Sequence, residues 1–139
     1  MSNSDVYFYS VAPQFLVHDV VQTAEYYRDV LGFEICSYFL DPPAHAIVQR
    51  GGCEVFFGKA NGQGGASNRR VKAIGIDAFF RVSGVDEFAR QVARAGGKII
   101  EGPMNRIYKI REVLVEDCNG FILVFGENIG DESEKNSSE

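Results

Sequence analysis

The sequence predicts an α+β fold in which two tandem βαβββ modules form a curved mixed sheet around a cleft. Two observations predict it. The first is an internal repeat. Val17 aligns with Val82, Ala24 with Ala89, Gly32 with Gly97 and Ile35 with Ile100, each pair 65 residues apart. The second is the order of hydrophobic periods. In each half a β-rich run leads to a helical face, and further β-rich runs follow. A duplication of this length gives two similar units, so function is expected at paired positions lining the cleft where they meet.

The elements follow in order. Ala12 to Val17 reads as a strand. Asp19 and Gln22 then make a capping-box-like start. Val20, Ala24, Tyr27 and Leu31 share one helical face, and Gly32 ends the helix where a left-handed residue is needed. Phe33 to Leu40 is β-rich and aromatic, and Asp41-Pro42-Pro43 turns the chain. Ala44 to Gln49 and Cys53 to Phe57 read as a hairpin around Arg50-Gly51-Gly52. The second half repeats the plan. A strand lies within Lys72 to Val82, and Ser83 with Asp86 forms a second cap signature. Val85, Ala89 and Val92 line a helix stopped by Gly96-Gly97. Strands are expected at Lys98 to Glu101, Glu112 to Val115 and Phe121 to Phe125, with Asp117-Cys118-Asn119-Gly120 as a tight turn.

The domain plan is therefore an N-terminal segment 1–11, a first module 12–59, a Gly-rich linker 60–71, a second module 72–127 and a polar disordered tail 128–139. The linker lacks the Lys-Ser/Thr ending of a phosphate loop and reads as a mobile connection or a lid. Asn136-Ser137-Ser138 fits a glycosylation sequon, which a cytosolic tail would leave unused.

Composition narrows the function classes. The 139 residues are 45% hydrophobic, enough for one globular core. No apolar run approaches the roughly 18 residues of a membrane span, and no signal-peptide pattern opens the chain. The formal charge of −5 argues against nucleic acid, and mildly favours a neutral or cationic ligand. Three cysteines (Cys36, Cys53 and Cys118) without metal-type spacing point to reduced thiols and a cytoplasmic protein.

Three stretches carry a resemblance. They are Phe15-Leu16-Val17-His18-Asp19, the run from Ala24 to Phe33 (Ala-Glu-Tyr-Tyr-Arg-Asp-Val-Leu-Gly-Phe), and Val115-Glu116-Asp117-Cys118-Asn119-Gly120-Phe121. Together the chain resembles the vicinal oxygen chelate superfamily of glyoxalases, bleomycin-resistance proteins and extradiol dioxygenases. Cys118 departs from the family turn, which usually has Pro there. The resemblance implies paired βαβββ modules and a homodimer, often with each cleft completed by both subunits.

It also implies a test for metal. Metal-dependent relatives carry His, Gln or Glu at four seats, one on the first and one on the last strand of each module. The matching positions are Ala12, Glu54, Asp77 and Val124. Ala and Val have no donor atom, and a catalytic metal generally needs about three protein ligands. No metal and no cofactor are expected. His18 and His45 do not replace the missing donors: one falls just before the helix, the other on a strand after Pro42-Pro43.

Strand alternation assigns the cleft wall. With Ala12 facing the cleft come Gln14 and Leu16, while Phe15 and Val17 face the helix. Asp77 brings Phe79 and Arg81, Glu54 brings Phe56, and Val124 brings Ile122. Such a wall, apolar with a few polar groups, describes a small-molecule pocket. Arg106, Tyr108, Lys109 and Arg111 are read as a solvated loop, with gating of the cleft or neutralising a ligand carboxylate as alternatives. The expectation is a metal-free protein that resembles bleomycin-resistance proteins and sequesters a hydrophobic or cationic compound in the intermodule cleft. The alternative is a metal-dependent glyoxalase-like lyase, isomerase or dioxygenase using Glu54 and Asp77. A metal-independent enzyme using either carboxylate as a base, or a scaffold with a vestigial pocket, ranks behind these.

Overall fold

In a computed structural model, residues 5–130 are described. The elements are β1 (Gln14–Val17), α1 (Val20–Asp29), β2 (Glu34–Phe39), β3 (His45–Arg50) and β4 (Cys53–Lys59), then β5 (Ala78–Arg81), α2 (Val85–Arg94), β6 (Lys98–Asn105), β7 (Ile110–Glu116) and β8 (Ile122–Asn128). They form two four-stranded sheets, ordered β1-β4-β3-β2 and β5-β8-β7-β6. In each sheet the first strand runs parallel to the last, and the other neighbours are antiparallel. The duplicated plan is thus present, as two mixed sheets and no closed barrel.

Local chemistry explains the helix ends. Asp19 Oδ1 accepts from the Gln22 amide at 2.9 Å, so the first cap forms as its residues predict. Gly32 follows the helix with φ of 77°. The second cap differs from expectation. Gly84, at φ 75°, takes the cap position and makes no side-chain cap bond. Glu127 instead accepts from the Val85 amide at 3.0 Å. A carboxylate from the last strand satisfies the helix end that Ser83 was expected to cap.

The linker is tied down at both ends. Gly65 donates its amide to the Leu16 carbonyl at 2.7 Å, and His18 Nδ1 lies 3.1 Å from the Gly62 carbonyl. A 3-10 turn, Asn68–Arg70, docks on the start of β5. At the C-terminal end of the described residues, β8 runs to Asn128 and Ile129 donates to the Lys109 carbonyl at 3.0 Å. Asp131 to Glu139, the sequon included, lie outside the described residues.

Burial alternates along β1 and β3, while β7 and β8 are buried on both faces over much of their length. Phe15, Val17, Val48, Val55 and Phe57 of the first sheet are buried, as are Phe80, Val113, Val115, Leu123 and Phe125 of the second. These residues and both helices share one core. Phe15 stacks on Phe121 with centroids 4.5 Å apart, and Phe33 meets Phe80 edge-on at 6.0 Å. The helix-side faces of the two modules are therefore joined. Each sheet's other face lies on the side away from that core.

Candidate functional site

The site is built on the outer face of the second sheet. A cavity of about 390 Å³ lies over it. Its floor is hydrocarbon. Leu114 of β7 stands opposite Val124 of β8, and Val124 stands opposite Phe79 of β5. Leu114, Ile122 and Val124 form a small cluster of their own, with Ile76 and Ile100 against it. Ile74, Ile76 and Phe79 extend the apolar lining.

One wall is polar. Glu112 of β7 is 4% exposed, a depth at which a carboxylate needs partners. It has two. Arg106 Nε donates to it at 3.0 Å, and the Tyr108 hydroxyl donates at 2.6 Å. Arg106 also reaches Glu101 at 3.4 Å. The hydrogen bond to Glu112 raises the Arg106 guanidinium and holds the Tyr108 phenol above its usual range. The turn between β6 and β7 makes this possible. Lys109 adopts φ of 67°, and the Arg106 amide donates to the Ile110 carbonyl at 2.8 Å. The loop expected to be solvated thus folds Arg106 and Tyr108 into the cavity wall. Arg111 turns elsewhere and pairs with Asp86 at 2.8 Å.

The nine residues expected to line one cleft fall on two faces. Phe79 and Val124 line this cavity, with Ile122 beneath them. Gln14, Leu16, Glu54 and Phe56 belong to the first sheet and do not line it. Arg81 shares the Phe79 face of β5, with its guanidinium 5.6 Å from the Phe79 ring, and does not line the cavity. The reason is tertiary: because the helix-side faces are joined, one chain does not fold its two outer sheet faces onto each other.

Asp77 is not free for a ligand. Its carboxylate accepts from Ser67 Oγ at 2.6 Å, the Asn68 amide at 2.7 Å and the Ile122 amide at 2.8 Å. It anchors the linker to the second sheet. Strand register also alters the metal comparison. Gln14 pairs with Phe56 as Phe79 pairs with Val124, so the counterpart of Val124 is Phe56, and Glu54 corresponds to Ile122. Either choice of seats holds two hydrocarbon side chains or more, and its Asp is committed to three donors. These residues do not fit a family-type metal. Among the described residues, no three His, Cys, Asp or Glu side chains are grouped to hold an ion. His45 packs edge-on against Phe56, with centroids 5.7 Å apart.

Glu112, Leu114 and Ile76 were not foreseen as site residues, and Arg106 and Tyr108 were considered only as part of a loop that could gate the cleft. The period of two along β7 could have found Leu114 and Glu112 together, because they share a face.

The chain belongs to the Glyoxalase/Bleomycin resistance protein/Dioxygenase superfamily, whose model matches residues 11–125. No curated protein matches it significantly. Solved structures share the fold at low identity. A glyoxalase-related enzyme from Clostridium phytofermentans superposes with a TM-score of 0.73 at 16% identity, covering 91% of this chain and 100% of that one. TioX from Micromonospora sp. ML1 gives 0.70 at 18% identity, covering 87% and 99%. TnmS3, an antibiotic binding protein from Streptomyces sp. CB03234, gives 0.69 at 14% identity, covering 88% and 98%. Among the described residues, no helix is long and apolar enough to cross a membrane.

Proposed function

We propose that this protein binds a small hydrophobic or cationic molecule without a metal, in the cavity over the second sheet. The observation that carries the reading is the pairing of a hydrocarbon floor, Leu114 and Val124, with a satisfied polar wall, Glu112, Arg106 and Tyr108. The floor buries an apolar ring. Phe79 adds apolar surface, its ring already in cation–π contact with the Arg81 guanidinium at 5.6 Å. The charges on the wall largely cancel within themselves, which favours a neutral or singly charged guest. The antibiotic-binding relative TnmS3 is consistent with sequestration as the purpose.

In this reading the protein works as a homodimer. A second copy's first-sheet face, with Gln14, Leu16, Glu54 and Phe56, covers the cavity and faces Phe79 and Val124. Burial of exposed Leu16, 49% accessible in the single chain, would favour that contact. The same reading puts the protein in the cytoplasm, where its three free cysteines would stay reduced. The alternative, metal-dependent chemistry through Glu54 and Asp77, has no observation in its favour, because Asp77 is occupied as an anchor.

Thermal-shift screening of bleomycin-type and other planar aromatic compounds tests the proposal. A binder should raise the melting midpoint by about 2 °C or more at saturating concentration. Val124→Glu, which puts a charge on the floor, should abolish that rise. A binder whose effect survives Val124→Glu, or a screen with no binder, would contradict the reading.

A further inference from the structure

The chain ahead of β1 is an apolar arm laid out in solvent. Val6, Tyr7, Phe8, Tyr9 and Val11 are all exposed, Phe8 to 88% and Tyr9 to 87%. Aromatic and β-branched residues of this kind favour strands. Tyr7 and Tyr9 share one side of the arm, with ring centroids 4.9 Å apart. Alternation puts Val6 and Phe8 on the other. From Val6 to Ala12 the main chain makes no hydrogen bond among the described residues. The arm has the composition of a strand and no sheet to join.

The internal repeat shows where such an arm fits. β1 and β5 are the end strands of the two sheets, at equivalent positions. In the first module the linker returns along the outer edge of β1. The Gly65 amide donates to the Leu16 carbonyl at 2.7 Å, and Val17 and Gly64 form an antiparallel bridge. In the second module the chain leaving β8 turns away, and Ile129 donates to the Lys109 carbonyl instead. Among the described residues nothing bonds to the outer edge of β5. Arg81 is the counterpart of Leu16, 65 residues on. Val82 donates to the Gly126 carbonyl of β8 at 2.9 Å, so the alternate main-chain groups, those of Phe79 and Arg81, point outward. Asp131 to Glu139 include no aromatic or β-branched residue suited to that edge.

We propose that the arm of a second copy pairs with β5, so that each subunit of the homodimer adds a strand to its partner's second sheet. The inference rests on the homodimer of the proposed function and not on its ligand. An unpaired edge is a template for a strand, and strand addition combines main-chain bonds with burial of alternate side chains. The reach is sufficient. Val6 to Ala12 spans about 23 Å when extended, and the four residues of β5 need about 13 Å. In the single chain the arm lies exposed, so it does not occupy its own β5. In the dimer, a second copy's Gln14 and Leu16 lie over the cavity, and the arm leads directly into them. One row of its side chains then continues the sheet face of Phe79 and adds aromatic surface beside the cavity. Two-fold symmetry makes the exchange reciprocal.

The test is amide hydrogen exchange on the full chain, with sedimentation at the same concentrations. The Phe79 and Arg81 amides should exchange about tenfold or more slowly in the dimer than in the double variant Tyr7→Pro with Phe8→Pro. Two adjacent prolines remove an arm donor whichever row faces β5. The arm makes no bond in the single chain, so the variant should fold as the parent does. Its dimer should dissociate about tenfold or more readily. A dimer whose Phe79 and Arg81 amides exchange as fast as in the variant overturns the arm exchange and leaves the homodimer standing. Protection that survives the prolines, or dilution to monomer, gives the edge to another segment or to the chain's own arm and also overturns it. A parent that stays monomeric at millimolar concentration overturns arm and homodimer together, while the Val124→Glu comparison still reads the cavity.

Discussion

The two seams between the modules make the most useful comparison in the molecule. The β7–β8 turn is driven into the first module. Asp117 is 5% exposed and accepts one hydrogen bond from the first module, from the Tyr27 hydroxyl, and two from its own turn, from the Asn119 and Phe121 amides. The β3–β4 turn only leans on the second module, through an exposed Arg50 that touches Gln91 and Phe88. The protonation behaviour follows. Burial pushes the Asp117 carboxyl up, although its three donors pull the other way. Burial, with the Asp117 carboxylate beside it, lifts the Tyr27 phenol well above its usual range. Two copies of one design thus serve different ends: the filled seam secures the modules, and the open seam leaves a cavity of about 440 Å³.

The largest expected effect is at the filled seam. Asp117→Ala strands three donors and should cost about 3 kcal/mol in urea denaturation. A loss under about 1 kcal/mol would mean that the seams are energetically alike. Gly97→Ala comes next. A Cβ there would sit 2.5 Å from Val92 Cγ1 and 2.7 Å from Val30 Cγ1, where the two helices approach. Stiff β-branched neighbours cannot yield easily, so about 1–2 kcal/mol of destabilisation is expected. At the open seam, Arg50→Ala should cost only about 0.5–1 kcal/mol, because the side chain is exposed and its contacts are solvated.

The smallest effect is a pH slope. With a folded pKa above the ordinary carboxyl value, Asp117 binds more protons in the folded chain than in the unfolded one. Stability from this group is therefore greatest at acid pH and falls as pH rises through the window between those values. Asp117→Asn keeps an acceptor for the two backbone amides and should remove that slope while costing less than about 1 kcal/mol. An unchanged pH profile in Asp117→Asn would assign the slope to another group.

Much of the fold could be read from the residues. The alternation of Phe15 and Val17 with Gln14 and Leu16, and the Asp19–Gln22 cap, are local features, set by neighbours within a few positions. The parts that escaped prediction are non-local. Glu127 caps a helix 42 residues earlier in the chain. Asp77 looked available until the linker folded back on it. Tyr108 reaches Glu112 because Lys109 takes a left-handed conformation that no glycine advertises. The separation of the nine expected cleft residues onto two faces depends on which sides of the sheets share a core. Strand alternation names the two sides of a sheet but cannot say which one meets the other module.

The central claim is that the hydrocarbon floor at Leu114 and Val124 holds a guest and that no metal takes part. Isothermal titration of a binder from the thermal-shift screen, into protein stripped with chelator and again after adding nickel, zinc or manganese, tests it most directly. The predicted result is the same affinity in every preparation, lost in Val124→Glu. Binding that appears only with added metal would contradict it.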